Sequence, residues 1–319
     1  MALPAQLSNL RLPVVAAPLF IISNPKLVIA QCKAGIVGSF PALNARPAEL
    51  LEEWMKEITE ELDRHNQANP DNPAAPWAVN QIVHRSNDRL MHDVEMAVKY
   101  KAPITITSLG ARPELNEAMH SVGGITLHDV IDNTFAKKAI EKGADGLIAV
   151  AWGAGGHAGR LSPFALMNVI REWWDGPLLL SGSIASGGAI MASQAMGADL
   201  AYIGSPFIAT HEARATDEYK QGIVKGGGED IVYTNLFTGV HGNYMRESIE
   251  NAGLDPENLP QSDPSKMQFG SGGASDAKAW RDIWGCGQGI DKVKEVVGAA
   301  ELVDRYYAEY VAMQKRLAA

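Results

Sequence analysis

The sequence predicts an α/β protein built as a (β/α)8 barrel, also called a TIM barrel, and two observations lead to this prediction. Eight short apolar runs alternate with helical segments across residues 13–204, which is typical of a closed parallel sheet surrounded by helices. The glycine-rich stretches follow the sixth, seventh and eighth runs. A doubly wound open sheet is the structural alternative, but it would carry its glycine fingerprint after the first run. Ala17-Pro18-Leu19-Phe20, which stands there, does not resemble that fingerprint.

The eight predicted strands are short and mostly aliphatic, as expected for strands buried on both faces. In chain order they are 13–17, 35–38, 77–81, 103–107, 124–127, 146–150, 177–181 and 200–204. Between them, apolar residues at helical spacing predict helices at 25–32, 47–65, 88–99, 112–122, 133–142, 164–173 and 187–196. Gly143 and Gly197 directly follow two of these helices, as C-terminal capping glycines do.

The composition changes after the last strand, and residues 213–283 are predicted to form a smaller, mostly helical cap domain. Helices are expected at 211–225, 243–251 and 275–284, and 254–274, rich in Pro, Gly and Ser, is expected to be a loop. The barrel domain then comprises 1–212 and 284–319. Its last helix, 292–316, is expected to pack back on the barrel.

Composition excludes several classes of function. The chain has 319 residues, a formal net charge of -9 and no concentrated basic segment, so nucleic acid is not an expected partner. No apolar run approaches the roughly 20 residues of a membrane-spanning helix, and no signal peptide is expected. Cys32 and Cys286 lie far apart in sequence, which fits a reducing, cytoplasmic location. The histidines and cysteines lack metal-ligand spacing, so no metal is expected.

The loop after the sixth strand is the first candidate for a catalytic site. Gly155-Gly156-His157-Ala158-Gly159 combines a backbone that can approach a ligand closely with one imidazole. Imidazole exchanges protons near neutral pH. The alternative interpretation is a glycine-rich turn whose histidine faces water.

The loops after the seventh and eighth strands are candidates for a phosphate site. Ser181-Gly182-Ser183 follows the seventh strand and Gly204-Ser205 follows the eighth. In (β/α)8 barrels these two loops often bind phosphate through backbone N–H groups. Neither contains a P-loop sequence, and two ordinary tight turns remain the alternative.

Taken in order, these motifs resemble the nitronate monooxygenase family, formerly called 2-nitropropane dioxygenases. The resemblance also includes the first strand, residues 13–20, the segment 197–213 and Gly287-Gln288-Gly289, so it spans nearly the whole chain. It implies a barrel that holds non-covalent FMN at the carboxyl ends of its strands. The implied reaction oxidises an alkyl nitronate with O2 to a carbonyl compound and nitrite.

Carried over residue by residue, the resemblance makes His157 the active-site histidine. The implied FMN-binding positions are Ala17, Pro18, Leu19, Asn80, His128, Gly156, Ser181, Gly182, Ser183, Gly204, Ser205 and Gln288. The implied partners are a small-molecule nitronate or nitroalkane and O2, and the protein is expected to be a monomer or a homodimer. His157 would hold a nitronate anion as a hydrogen-bond donor, or deprotonate a neutral nitroalkane as a base. These roles need opposite protonation states, and the sequence does not choose between them.

Two positions depart from the family pattern. Many relatives have lysine after the histidine that ends the fifth strand, whereas this chain has His128-Asp129. Either the register differs, or His128 or another donor replaces the lysine. Pro206 stands where relatives often have arginine and lacks a backbone N–H.

Other functions remain open on the sequence. An FMN-dependent NAD(P)H:quinone or enoyl-thioester reductase is the main alternative, and a non-catalytic FMN- or phosphate-binding barrel is the third. The aromatic residues of the cap, Tyr233, Phe237, His241 and Tyr244, either cover the flavin or form the core of the cap.

Overall fold

A computed structural model describes residues 3–263 and 282–319. Eight parallel strands form one sheet, and they are β1 Val14–Ala16, β2 Gly38–Pro41, β3 Trp77–Ile82, β4 Ile104–Ser108, β5 Ile125–Val130, β6 Gly146–Val150, β8 Leu178–Ser181 and β9 Leu200–Ile203. Their order is β1-β9-β8-β6-β5-β4-β3-β2. A parallel bridge between Val15 and Val37 joins the two ends, with the N–H of Ala16 donating to the carbonyl of Val37 at 2.8 Å. The sheet is therefore closed, and the predicted (β/α)8 barrel is confirmed.

The helices surround the barrel. They are α1 Ala5–Ser8, α2 Pro25–Lys33, α3 Leu50–Ala68, α4 Leu90–Lys99, α5 Pro113–His120, α6 Asn133–Glu141, α7 Pro163–Arg171, α8 Gly187–Ala195, α9 Ser205–Ile208, α10 Asp217–Lys225, α11 Arg246–Asn251 and α12 Ala299–Ala318. Several begin at a side chain that accepts a backbone N–H, as Asn24, Asp132 and Ser186 do. Across 3–263 and 282–319, no helix is long and apolar enough to cross a membrane.

The barrel interior is apolar along most of its length. Val15, Ala78, Ile106, Ile148 and Leu179 belong to one buried cluster and come from five different strands. Removing side chains of this size from water stabilises the fold by about 1.5–3 kcal/mol for each of the larger ones. The polar residues at the carboxyl ends of the strands therefore lie next to a packed apolar core.

Two barrel strands differ from the prediction in a way that matters for the site. The second lies at Gly38–Pro41 rather than 35–38, because Gly35, at φ +91°, still belongs to the turn after α2. The fifth extends to Val130, because Asp129 and Val130 pair with Ile148 and Ala149 of β6. Asp129 therefore lies on the strand itself.

The segment predicted to be a mostly helical cap also contributes strands. β10, Ile231–Thr234, and β11, Gly242–Met245, form an antiparallel hairpin, and β11 also pairs with the short strand β7, Gly156–His157. The helix predicted for 243–251 is wrong in its first part and begins at Arg246, because pairing on both sides outweighs local preference.

The other elements predicted for the C-terminal part of the chain agree less closely with the structure. The helix predicted for 211–225 begins at Asp217, after the capping residue Thr216. The helix predicted at 275–284 and the second half of the predicted loop lie largely outside the described residues. The last helix, α12, begins at Ala299 and packs against α8 and α2.

Candidate active site

A cavity of about 660 Å³ opens at the carboxyl ends of the barrel strands. Its wall includes loop residues that follow β1, β3, β4, β5, β6, β8 and β9. This volume is typical of cofactor and small-molecule sites, and this end of the barrel is where such enzymes bind their substrates.

The structure brings the predicted site residues together around this cavity, with one exception. Those that line it are Ala17, Pro18, Leu19, Asn80, His128, Gly156, His157, Ser181, Gly182, Ser183, Gly204 and Ser205. Gln288 does not line it, although its neighbours Gly287 and Gly289 do. The N–H of Gln288 donates to the carbonyl of Gly153 at 3.0 Å. Gln288 thus helps to hold the loop that leads to His157.

His157 lies on β7, and its ring contacts the cap. Its Nε2 atom is 2.8 Å from the hydroxyl oxygen of Thr238. Burial lowers the pKa of His157 to about 4, because a charged imidazolium loses its hydration there. This shift favours the neutral imidazole at pH 7.

The backbone around His157 is held from the side of the cap. The side-chain amide of Asn243 donates to the carbonyl of Ala154 at 2.7 Å, and the hydroxyl of Tyr233 donates to the carbonyl of Ala158 at 2.9 Å. Gly153 has φ +85°, and a Cβ atom there would lie 2.2 Å from the hydroxyl oxygen of Ser183. The loop therefore requires glycine at this position.

The two predicted phosphate loops face the same cavity. Gly182 has φ +133°, and Ser183 adopts φ +56°, a conformation that is strained for a residue with a side chain. At Gly156 a Cβ atom would meet nothing within 4 Å, so the wall leaves room for a ligand. Pro206 lies in the first turn of α9, where a helix makes no use of the missing N–H. This arrangement fits a phosphate-bearing cofactor such as FMN.

His128 and Asp129 both line the cavity, so a shifted register does not explain the missing lysine. The Nδ1 atom of His128 lies 2.6 Å from the hydroxyl oxygen of Thr107. Burial lowers the pKa of His128 to about 4, with a smaller effect from Lys142. This shift favours the neutral form of His128, which carries no positive charge but can still donate one hydrogen bond.

Asp129 ends a chain of polar groups that sequence reasoning did not find. The amide of Asn80 donates to the hydroxyl oxygen of Ser108 at 2.8 Å, and that hydroxyl donates to Oδ2 of Asp129 at 2.5 Å. Burial raises the pKa of Asp129 to about 6, against a smaller opposing effect of the Ser108 hydrogen bond. The only sequence signal for this role of Ser108 was its position directly after the fourth predicted strand, 103–107.

None of the four aromatic residues considered in the sequence analysis, Tyr233, Phe237, His241 and Tyr244, lines the cavity, and two of them, Phe237 and Tyr244, belong to the core of the cap. Phe237 packs edge-on against the buried ring of Tyr244 at 5.0 Å, and Tyr233 contacts Trp152 and His241. The cap lines the cavity instead with Val240 and Tyr219, which the sequence analysis missed. Tyr219 has its hydroxyl bonded to the carbonyl of Gly285 at 2.6 Å. Apolar and aromatic residues in a segment of mixed structure gave no signal for this role.

The closed barrel and the polar cavity at its carboxyl end define an enzyme of the (β/α)8-barrel class. Residues 3–309 match the family model described as nitronate monooxygenase, and the chain belongs to that family. It is therefore a flavin-dependent oxidoreductase.

Known proteins are similar to this chain in sequence or in fold. A probable nitronate monooxygenase from Bacillus subtilis is 25% identical, covering 94% of this chain and 96% of the relative. The solved nitroalkane oxidase from Streptomyces ansochromogenes superposes with a TM-score of 0.80 at 22% identity, over 96% of this chain and 98% of that one. FabK from Thermotoga maritima gives a TM-score of 0.75 at 20% identity, over 97% and 95% of the two chains. At these identities the two solved structures show a shared fold.

Proposed function

We propose that this protein is an FMN-dependent nitronate monooxygenase that oxidises alkyl nitronates with O2 to a carbonyl compound and nitrite. The observation that carries this proposal is the position of His157 in the same cavity as the two glycine loops after β8 and β9. The family model and the similar proteins support it.

FMN supplies the electron-transfer chemistry when it is bound. The residues that would hold its phosphate are the loops 181–183 and 204–205, through backbone N–H groups and the hydroxyls of Ser183 and Ser205. Ala17, Pro18, Leu19 and Asn80 would line the rest of the cofactor, since they form the facing wall of the cavity.

A neutral His157 serves either form of the substrate, because a neutral imidazole has one nitrogen that accepts a proton and one N–H that donates a hydrogen bond. The two roles therefore do not need opposite protonation states. With a neutral nitroalkane, the α-carbon–hydrogen bond breaks, its electron pair stays on the substrate as the nitronate, and the proton goes to a ring nitrogen of His157. With a preformed nitronate, the N–H of the neutral ring donates a hydrogen bond to the anion.

The proposal is tested by product analysis of the purified protein under air. We expect propionate 3-nitronate or an alkyl nitronate to give nitrite with consumption of O2, and mass spectrometry to identify the released cofactor as FMN. A flavin-loaded protein that forms no nitrite from any of these nitronates would contradict the proposed reaction.

A further inference from the structure

The carboxyl group of Asp129 faces the cavity from the inner side of the barrel. Asp129 lies on β5 and pairs in register with Ile148 of β6. Ile148 and Leu127, which is two residues before Asp129, belong to the apolar cluster inside the barrel. Since alternate residues of a strand point to the same face of a sheet, the side chain of Asp129 projects from that inner face. Among the described residues, it is the one carboxyl group that lines the cavity.

One oxygen of this carboxyl group is held by a chain of hydrogen bonds. The amide of Asn80 donates to the carbonyl of Ile106 at 3.2 Å and to the hydroxyl oxygen of Ser108 at 2.8 Å. The hydroxyl of Ser108 therefore accepts from Asn80 and donates its proton to Oδ2 of Asp129 at 2.5 Å. Within residues 3–263 and 282–319, the carboxyl group makes no other hydrogen bond. Oδ1 is thus available to interact with a group that occupies the cavity.

In the part of the chain that the structure describes, no positive charge of the cavity neutralises Asp129. Arg46, Lys138 and Lys142 line the cavity, but none contributes to the shift in the pKa of Asp129, whose causes are burial and the smaller, opposing hydrogen bond of Ser108. Burial, and to a smaller extent Asp129 itself, raise the pKa of Tyr202 on β9. The phenol that faces Asp129 therefore stays neutral.

The histidines that line the cavity favour their neutral forms as well. Burial is the largest cause that lowers the pKa values of His84, His128 and His157. A carboxylate without a neutralising cation, in surroundings of low dielectric constant, responds strongly to a further negative charge. A second negative charge in this cavity therefore raises the proton affinity of Asp129.

We infer that Asp129 tunes the bound flavin, with its carboxylate binding a proton at Oδ1 when the flavin is reduced and releasing it on reoxidation. Charges near a flavin ring tune its electronic properties. Two electrons come from the reductant and two protons come from solvent, one proton going to the flavin and one to Asp129. The loss of the carboxylate charge then balances the negative charge of the reduced flavin. The inference rests on the proposed cofactor and not on the proposed substrate.

The first test is the midpoint potential of the flavin between pH 5 and pH 8, measured by anaerobic titration with dithionite in the wild-type protein and in Asp129→Asn. A tenfold rise in proton affinity on reduction corresponds to about 30 mV for a two-electron couple. We expect the potentials to agree near pH 5 and the wild-type potential to lie lower by at least this amount at pH 8, where the carboxylate opposes the added electrons. Equal potentials at both pH values, or a constant difference, would overturn the inference.

Asp145→Asn is the matched control for this titration. Asp145 directly precedes β6, at the opposite end of the barrel, and pairs with His120 at 2.8 Å. We expect the potential of this variant to follow that of the wild-type protein at every pH. A change as large as that in Asp129→Asn would show that net charge, and not the position of Asp129, sets the potential, and it would also overturn the inference.

The second test observes the proton directly, by infrared difference spectroscopy of the reduced minus the oxidised protein at pH 7. We expect a carboxylic acid C=O band to appear on reduction in the wild-type protein and in Asp145→Asn, and to be absent in Asp129→Asn. A wild-type spectrum without this band, or a band that persists in Asp129→Asn, would contradict the assignment of the proton to Asp129.

The two proposals fail in different ways. Dithionite reduces the flavin whatever the substrate of the enzyme is, so both tests decide the role of Asp129 even if the protein forms no nitrite from a nitronate. Failure of the protein to bind any flavin would overturn both proposals.

Discussion

Burial shifts the pKa of titrating groups that face the cavity, among them His128, His157 and Asp129. It lowers the pKa of His157 and raises that of Asp129, because in each case the charged form loses water. The glycine-rich motif was enough to predict the place of His157. Its protonation state was not predictable, because it depends on burial, and a segment that covers the ring, which includes Thr238, lies 81 residues further along the chain.

Replacing His157 should remove the proton-transfer group and leave the cofactor in place. We expect His157→Gln to lower kcat/KM for a neutral nitroalkane by about 10²- to 10⁴-fold with the flavin content unchanged. His120→Gln is the control, since His120 lies on α5 and pairs with Asp145 at 2.8 Å on the outside of the barrel. Full turnover by His157→Gln would show that the histidine is not the base.

The pH dependence should reveal the shifted pKa of His157. A base acts in its unprotonated form, so kcat/KM for a neutral nitroalkane should stay constant as the pH falls through 6.5 and decline only near about 4. The measurement uses the Asp129→Asn background, which removes the titration of Asp129 near 6. A decline of kcat/KM with a midpoint near 6.5, the ordinary pKa of histidine, would show that burial does not lower the pKa of His157.

Asp129 should make stability depend on pH. Its folded-state pKa is raised from 3.8 to about 6, so the stability that it contributes is present at low pH and is lost as the pH rises through 6. Asp129→Asn should therefore increase the free energy of unfolding by about 1–3 kcal/mol at pH 8. The gain should vanish by pH 4. An equal gain at both pH values would exclude ionisation as the cause.

The loops and strands around the site differ in how far they could be predicted. Glycine after β6, β8 and β9 is visible in the sequence, because close approach and positive φ favour it at Gly153 and Gly182. The strand β11 was not visible, because its residues form a strand only when β10 and β7 lie on either side. Val240 and Tyr219 were missed for a different reason, because an apolar or aromatic residue gives no local signal that it will line a cavity.

Alanine at Gly182 should damage the proposed phosphate loop directly. Its Cβ atom would lie 2.8 Å from the carbonyl oxygen of Trp152, at φ +133°. We expect Gly182→Ala to cost about 1–3 kcal/mol of stability and to weaken FMN binding by at least about tenfold, as measured by fluorescence titration of the apoprotein. Gly123→Ala, at φ +79° with nothing within 4 Å, controls for backbone strain alone. Equal FMN affinity in the two variants would exclude the loop from the phosphate site.

The whole barrel was more predictable than its cap. Each barrel strand is a short apolar run, and such runs are recognisable because both faces of the strand are buried. The chain also closes the barrel where the prediction placed its first two strands, at Val15 and Val37. The function of the complete molecule depends on contacts between the cap and the barrel, which no local pattern encodes.

The reaction of the bound flavin without oxygen tests the central claim most directly. The flavin-loaded protein is mixed anaerobically with an alkyl nitronate or propionate 3-nitronate, and separately with NADH and NADPH, while the flavin absorbance is followed. We predict rapid bleaching by a nitronate and slow or no bleaching by the nicotinamide cofactors. Rapid bleaching by NADH or NADPH, with none by a nitronate, would contradict the account and identify a reductase.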